Sequence, residues 1–229
     1  MVPTMKKRCL FLALVVSLIL ATVACRFGRG DPDDQADPVS NQANSGEIFF
    51  QDDFSDESSG WYTFVDGEGV TDYQDGGFRI FVGVPNTYHW TNPEENFGDV
   101  QIEVDVTKLA GPEENDFGLI CRYQDDANFY FFTISSDGYY GIAKFVDGEE
   151  LLLGTDELGY DETAIRPGEA TNHIRADCIG DTFTLYANGQ QLTQVQDSDF
   201  ASGDVGLIAS TYEQAGTDML FDNLVVRQP

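Results

Sequence analysis

Positive charge is scarce in this sequence. Only 12 of its 229 residues are Lys or Arg, against 40 Asp or Glu, and the formal net charge is −28 at pH 7. Three of the twelve, Lys6, Lys7 and Arg8, precede residue 25, so the remainder is more acidic still. Such a surface repels phosphate backbones and anionic lipid headgroups, which argues against nucleic acid as a partner. Neutral sugars, cations and basic partners stay open, as does a role of the charge in solubility alone.

Catalytic motifs are scarce as well. The chain has two histidines, His89 and His173, and neither lies in a recognisable nucleophile or metal motif. The patterns G-x-S-x-G and H-E-x-x-H do not occur. We therefore assign no catalytic residue from motifs, and a binding role is favoured over an enzymatic one.

Helical periodicity is missing too. No stretch repeats apolar residues at the spacing of an amphipathic helix, and no internal repeat is visible. From Glu47 onward, short runs rich in β-branched and aromatic residues alternate with turn residues, a pattern typical of strands. Twelve strands are predicted, at residues 48–50, 77–82, 100–108, 117–123, 129–135, 139–145, 150–155, 173–179, 182–187, 190–196, 203–210 and 218–226.

Several links between these strands are hairpin signals. Asn188-Gly189, Asp137-Gly138 and Asp147-Gly148 each separate two predicted strands, and such dipeptides adopt the positive φ angles of tight turns. Many short strands at this spacing predict an all-β sandwich or barrel. The segment Asn128–Ser135 is apolar on both faces. One face would enter the core, and the other would carry aromatics that are covered by loops or form a recognition surface.

The N-terminal segment has the features of an export signal. Basic residues precede an uncharged, mainly apolar run from Cys9 to Val23, shorter than the roughly 20 residues needed to span a bilayer. The run ends in Ala21-Thr22-Val23-Ala24-Cys25, which resembles the lipobox of bacterial lipoproteins. Lipidation of Cys25 would anchor the protein on the extracytoplasmic face of the cell membrane. Cleavage after Ala24 by ordinary signal peptidase is the alternative.

The sequence divides into three predicted parts. Residues 1–24 form the signal peptide. Residues 25–46 are rich in Asp, Pro, Gly, Asn and Gln without apolar periodicity, which indicates a flexible acidic tether. Residues 47–229 form the β-domain, which is long enough to bury a core without needing a metal or a disulfide merely to fold.

Motifs spread over the β-domain resemble one family. They are Asp52-Asp53-Phe54-Ser55 with Ser59-Gly60-Trp61, Asp116–Tyr123, Asn172–Ala176, Leu185–Gly189, Gly203–Leu207 and Phe221–Val226. In order and spacing, they resemble the concanavalin A-like, or LamG-like, jelly-roll domains of the 3-keto-disaccharide hydrolase (glycoside hydrolase family 16-like) type. The resemblance implies two packed antiparallel sheets with the first and last strands paired. It also implies a curved sheet whose concave face often binds glycans, although the fold serves lectins, hydrolases and adhesion modules alike.

A glycan site of this kind combines aromatic platforms with a few hydrogen-bonding groups. Arg122 and Lys144 are cations within apolar strands, and such cations require partners. The alternative is that the aromatics pack in the core or under loops and that acids satisfy Arg122. The candidate ligand-binding residues are Tyr88, Trp90, Arg122, Tyr130, Tyr140 and Lys144.

Hydrolysis has a weaker signal. Glycosidases of this fold carry an E-x-D-x-x-E strand, and Glu103-Val104-Asp105 begins that pattern, but Lys108 replaces the final glutamate. We interpret Glu103 and Asp105 as the outward face of a half-buried strand. The favoured function is an extracytoplasmic, membrane-anchored module that binds carbohydrate or another envelope ligand. The alternatives are a glycoside hydrolase or lyase, and a structural or protein-interaction lipoprotein.

Two further sites are suggested. The family's structural calcium ion lies near both chain ends, where Asp53 and Asp222 occupy matching places; the alternative is that both residues cap turns or are simply solvated. Beyond Cys9 in the leader and Cys25, only Cys121 and Cys178 remain, and an exported protein can oxidise them to a disulfide. Two buried free thiols are the alternative.

Overall fold

The computed structural model describes residues 46–229. The predicted signal peptide, residues 1–24, the lipidation site Cys25 and residues 25–45 of the predicted tether lie outside these residues, so their assignments stay predictions. Within the described residues, no helix has the length and hydropathy of a membrane span.

The β-domain is built from sixteen strands and, within residues 46–229, no helix. In chain order they are β1 (Ile48–Asp52), β2 (Phe64–Val65), β3 (Gly69–Gln74), β4 (Gly77–Val82), β5 (Thr87–Thr91), β6 (Val100–Ala110), β7 (Asp116–Asp125), β8 (Asn128–Ser135), β9 (Tyr139–Val146), β10 (Glu149–Leu152), β11 (Gly159–Tyr160), β12 (Thr171–Ile179), β13 (Thr182–Ala187), β14 (Gln190–Gln196), β15 (Asp204–Thr211) and β16 (Thr217–Arg227).

The strands form two antiparallel sheets. The first has nine strands in the order β14-β13-β12-β6-β16-β4-β3-β2, with β1 also paired to β16. The second has seven strands in the order β10-β9-β8-β7-β15-β5, with β11 paired to β9. Both the predicted all-β, two-sheet jelly-roll sandwich and the predicted pairing of the first and last strands are confirmed.

The core lies between the two sheets. Along β6, buried and partly buried residues alternate as the pleat requires, so Val100, Ile102, Val104 and Val106 face inward. From the second sheet, Phe117 and Leu119 on β7 and Phe132 and Ile134 on β8 face them within one buried cluster. Burying these side chains supplies the main driving force for folding.

Tight turns hold the hairpins in register. Asn188 and Gly189 have φ angles of 51° and 83°, and Asp147 and Gly148 have 53° and 80°, the positive values that a two-residue hairpin requires. These turns connect β13 to β14 and β9 to β10, as the sequence predicts.

The predicted disulfide joins Cys121 and Cys178. The two cysteines do not lie on neighbouring strands: Cys121 is on β7 of the second sheet and Cys178 on β12 of the first. Both are fully buried, so the bond crosses the core and ties the two layers together.

Candidate functional site

The outer face of the second sheet is concave. The Tyr88 hydroxyl on β5 donates a hydrogen bond of 2.8 Å to Glu150 Oε2 on β10. These strands are at opposite ends of the sheet, and in a flat sheet five strand spacings would separate them by about 24 Å. Two side chains cannot bridge that distance, so the sheet curls until its edges approach each other over this side. We call this side the concave face.

Aromatic rings fill the centre of the concave face. On β8 the side chain of Tyr130 points into the core, whereas those of its neighbours Phe129 and Phe131 point outward and belong to a second apolar cluster. The ring of Phe129 lies 5.4 Å from Trp90, 5.5 Å from Tyr123 and 5.1 Å from Phe145, measured between centroids. The strand β8 is therefore apolar on both sides because each side packs into a different cluster, one in the core and one on the concave face.

A cavity of about 570 Å³ opens beside this cluster, along the edge strand β5. It combines aromatic rings with an amide and several carboxylates, the mixture of apolar walls and few polar groups expected of a ligand site. The Asn92 amide donates to the Val205 carbonyl at 2.6 Å, and the Tyr123 hydroxyl donates to Asp126 Oδ1 at 2.5 Å. Its lining includes Tyr62, Tyr88, His89, Trp90, Asn92, Glu94, Tyr123, Asp126 and Asp204.

The ionisable groups of the cavity wall are acidic. Asp204 is only 6% exposed, and burial raises the pKa of its carboxyl to about 6. Burial lowers the pKa of His89, so this imidazole is neutral at pH 7. Among residues 46–229, the salt bridges formed by Lys, Arg and His involve neither Glu94, Asp126 nor Asp204.

A second acidic group lies elsewhere on the concave face. Asp116 on β7 is buried, and Tyr212 donates a 2.6 Å hydrogen bond to its Oδ2. Burial raises the pKa of Asp116 to about 7, and the negative charges of Glu150 and Asp137 add to this effect. Asp116 is therefore partly protonated at neutral pH, and its carboxyl can act as a hydrogen-bond donor or a weak acid.

Replacing Asp116 by Asn removes this ionisation and keeps the shape of the side chain. The folded-state pKa of about 7 exceeds the ordinary value of 3.8, so ionisation destabilises the fold increasingly as pH rises between those values. We expect Asp116→Asn to raise the Tm above pH 7 and to leave it unchanged near pH 4, as measured by thermal unfolding at both pH values.

Asp161→Asn is a matched control for which the expected change in Tm has the opposite sign. Hydrogen bonds from Thr163 and Ala164 lower the pKa of Asp161, so ionised Asp161 stabilises the fold at neutral pH and this contribution is lost in acid. Asp161→Asn should therefore lower the Tm at neutral pH more than in acid. A Tm difference for Asp116→Asn that does not change with pH would contradict the raised pKa.

Only two of the six predicted ligand residues, Tyr88 and Trp90, lie on the concave face. Arg122, Tyr130 and Lys144 do not join them there, because these side chains point between the sheets and are almost fully buried. Strand pairing explains why Tyr130 and Lys144 point inward. Tyr130 lies opposite Cys121 on one neighbouring strand and opposite Lys144 on the other, and directly opposed residues project to the same side of a sheet, which for Cys121 is the core side. Arg122 turns inward because it occupies an irregularity of β7 with a positive φ of 53°.

The buried cations hold the segment that joins β14 to β15. Lys144 Nζ lies 2.5 Å from both Asp197 Oδ2 and Asp199 Oδ2. Arg122 donates to the Phe200 carbonyl at 2.8 Å and to Asp99 Oδ1 at 3.2 Å, with its guanidinium 5.0 Å from the centre of the Phe183 ring. These contacts pair both cations with internal acids, so a ligand is not needed to explain their charge, although Arg122 Nε has no hydrogen-bond partner among residues 46–229.

The remaining predicted residues lie away from the cavity. Tyr140 packs against the core and its ring lies over Gly159, so the structure does not bring it to the β5 cavity. Glu103 and Asp105 face outward on β6 of the other sheet, as interpreted from the sequence. Their carboxylates contact Arg227 at 3.0 Å and His173 at 2.8 Å, respectively.

Calcium at Asp53 and Asp222 stays a prediction. The carboxylate of Asp53 accepts hydrogen bonds from the Ser55 amide and hydroxyl, and that of Asp222 accepts one from the Asn223 amide at 2.7 Å. Within residues 46–229, no three His, Cys, Asp or Glu residues converge in a group that could hold a metal ion. The turn-capping alternative describes the contacts of both residues.

Several solved structures share this fold. A carbohydrate-binding module, CBM66, from Bacillus subtilis matches with a TM-score of 0.58 and 19% identity, over 74% of this chain and 96% of its own. A Bacillus subtilis protein of unknown function with a galectin-like fold matches with a TM-score of 0.61, 12% identity and coverages of 80% and 96%. A β-glucanase from Bacillus licheniformis matches with a TM-score of 0.58, 10% identity and coverages of 81% and 100%.

By contrast, comparison by sequence finds no match. No family model matches the chain, and a search among curated proteins finds no relative. Structural likeness at such low identity establishes the galectin- and concanavalin-like β-sandwich fold and nothing about the ligand.

Proposed function

We propose that this protein is a carbohydrate-binding module whose glycan site is the cavity along β5 on the concave face. One observation carries the proposal: the rings of Trp90, Tyr88, Tyr123 and Tyr62 surround an open volume of about 570 Å³ that also contains the Asn92 amide. Aromatic faces stack on the apolar faces of sugar rings, while amide and carboxylate oxygens accept hydrogen bonds from sugar hydroxyls.

Two properties of the cavity support this role. Tyr62 is 64% exposed at its rim, so the face of its ring is accessible to a ligand. The Asn92 and Tyr123 side chains are held by hydrogen bonds to Val205 and Asp126, so little conformational entropy is lost when a ligand binds. The carbohydrate-binding neighbour of the same fold adds support by analogy.

The lipid anchor is part of the same proposal. A signal peptide ending at Ala24 and acylation of Cys25 would place the module on the extracytoplasmic face of the membrane, where glycans of the envelope are its natural ligands.

Replacing Trp90 by Ala should weaken glycan binding at least tenfold. Loss of one stacked indole costs about 1.5–3 kcal/mol, which weakens the affinity at least tenfold. Glycan-array screening identifies a bound sugar, and isothermal titration calorimetry then compares the wild-type protein with Trp90→Ala.

Tyr160→Ala is the matched control, because Tyr160 is 53% exposed and lies outside the cavity. Intrinsic fluorescence gives a second readout: of the two tryptophans, Trp61 is buried and donates to Asp52 at 2.9 Å, so a ligand should perturb Trp90 alone. Retained binding by Trp90→Ala, or no glycan bound by the wild-type protein, would reject the proposed site.

A second candidate function, glycoside hydrolysis of the 3-keto-disaccharide hydrolase type, is favoured by Asp116. A carboxyl with a pKa of about 7 on the same face as Glu150 is a suitable proton donor, since general acids work best with a pKa near the working pH. The Asp116→Asn variant separates the two functions: hydrolysis of glycosides would be lost, whereas binding in the β5 cavity would persist.

A further inference from the structure

The charged side chains that line the β5 cavity are all negative. Glu94, Asp126 and Asp204 line it, and among its lining residues the only basic side chain is the buried His89. Arg122 directly precedes Tyr123 in the chain, but its guanidinium turns to Asp99 and the Phe200 carbonyl between the sheets. Glu95, next to Glu94, adds another negative charge near Asp204.

Asp204 is the unusual member of this set. It is almost fully buried and accepts hydrogen bonds from the backbone amides of Val205, Glu94 and Glu95, yet within residues 46–229 no cation pairs with it. Asp177, which is buried to the same extent, is held by Arg175 through two 2.7 Å hydrogen bonds, whereas within residues 46–229 no salt bridge involves Asp52 or Asp116 either. A carboxylate buried without a positive partner costs stability, and a cation bound in the cavity would remove that cost.

We infer that the cavity selects saccharides that carry a free, protonated amine, with the ammonium group beside Asp204 and the sugar ring against Trp90. The inference rests on the proposed carbohydrate function and names the ligand class of the same site. Neutral sugars would bind more weakly, and uronic acids or sulfated sugars would be repelled.

Two independent interactions favour an ammonium group here. The faces of Trp and Tyr rings attract cations within about 6 Å of the ring centre, most strongly when the pair is shielded from water. The carboxylate of Asp204 attracts the same charge in a partly desolvated setting, where screening by salt is weaker than on an open surface. A hydroxyl in place of the amine would gain only the smaller energy of a neutral hydrogen bond.

The test compares matched disaccharides that differ only in the amine. Glucosamine and galactosamine disaccharides, each in free-amine and N-acetylated form, are titrated calorimetrically into the purified protein at physiological salt, with choline as a separate arm. We expect each bound free-amine sugar to bind about tenfold more tightly than its acetylated partner, the difference between a charged and a neutral hydrogen bond.

The protein's large negative charge attracts any cation at long range, so the key comparison is between variants with equal net charge. Asp204→Asn should remove the preference for the free amine, whereas Glu149→Gln, a change at an exposed site on β10, should retain it. Glu94→Gln provides a second variant within the cavity should Asp204→Asn fold poorly. Equal losses in Asp204→Asn and Glu149→Gln would overturn the inference.

The remaining outcomes distinguish the inference from the proposed function. Neutral or acetylated sugars that bind in the cavity as tightly as free amines would overturn the inference and leave the carbohydrate function standing. Binding of choline without any sugar would overturn both, because the cavity would then recognise an ammonium group alone. If no compound binds, the inference is overturned, and the glycan array then decides whether the carbohydrate function stands.

Discussion

Reduction of the Cys121–Cys178 bond should lower the free energy of unfolding by about 4 kcal/mol. The bond closes a loop with a sequence separation of 57 residues, and the loop-entropy model gives this magnitude for constraining the unfolded chain. Urea unfolding at equilibrium, with and without a reductant, measures the difference as a shift of the midpoint.

The double variant Cys121→Ala/Cys178→Ala is the control for this experiment. It should unfold near the midpoint of the reduced wild-type protein and should not respond to reductant. Alanine is preferable to serine because both positions are fully buried, where an unpaired hydroxyl would add its own cost. Identical midpoints for the oxidised and reduced wild type, or free thiols at both positions before reduction, would contradict the bond's role.

The position of this bond shows what periodicity predicts well and what it cannot predict. Both cysteines are recognisable as mid-strand residues because their strands, β7 and β12, have strong apolar patterns. Pairing along a sheet, however, is not encoded in the pattern of one strand. The cysteines face each other across the core from opposite sheets, and neighbouring strands are not needed to bring them together.

The candidate site is only partly predictable, for a related reason. Its main wall is β5, a short edge strand with the sequence TYHWT that is absent from the twelve predicted strands, as are β2 and β3 nearby. Such segments are short and rich in glycine, aspartate or polar residues, so their apolar signal is weak. The chemistry of Tyr88 and Trp90 nevertheless marks them as candidates, and their spacing of two residues places both on one face.

Sequence reasoning does not find Asp204, Asn92 and Tyr123 as site residues. They come from three separate regions of the chain and meet only because β5, β7 and β15 are neighbours in the curled sheet. Gly206 marks the close approach to Asn92, since a Cβ atom at this glycine would lie 2.6 Å from the Asn92 side chain. A single glycine is too common a feature to reveal such a site without the fold.

Lys144 lies between the sheets and not on the concave face, and its surroundings there lead to the second large effect. Tyr130 donates to Asp197 Oδ1 at 2.5 Å and accepts hydrogen bonds from the amides of Asp199 and Phe200. Lys144 neutralises both Asp197 and Asp199. Although burial alone raises the pKa of Asp197, hydrogen bonds from Lys144 and Tyr130 bring it below its ordinary value.

Replacing Lys144 by Met should therefore lower the free energy of unfolding by about 3 kcal/mol at neutral pH. The change keeps the apolar stem but leaves Asp197, mostly buried, without its cation, and breaking a buried pair costs about 3–5 kcal/mol. The lower figure applies because Asp199 is half exposed. Chemical denaturation measures the loss, which should shrink in acid as the aspartates become protonated.

Arg227→Met is the matched control, because Arg227 pairs with Glu103 through a single 3.0 Å contact and both side chains are more exposed than Lys144 and Asp197, so the change should cost no more than about 1 kcal/mol. The ligand measurement decides between the two interpretations of Lys144. Its side chain points between the sheets, away from the β5 cavity, so the Lys144→Met protein should bind sugars as the wild type does at temperatures where it is folded. Lost binding with unchanged stability would return Lys144 to the ligand site, whereas lost stability with unchanged binding assigns it to the sandwich interior.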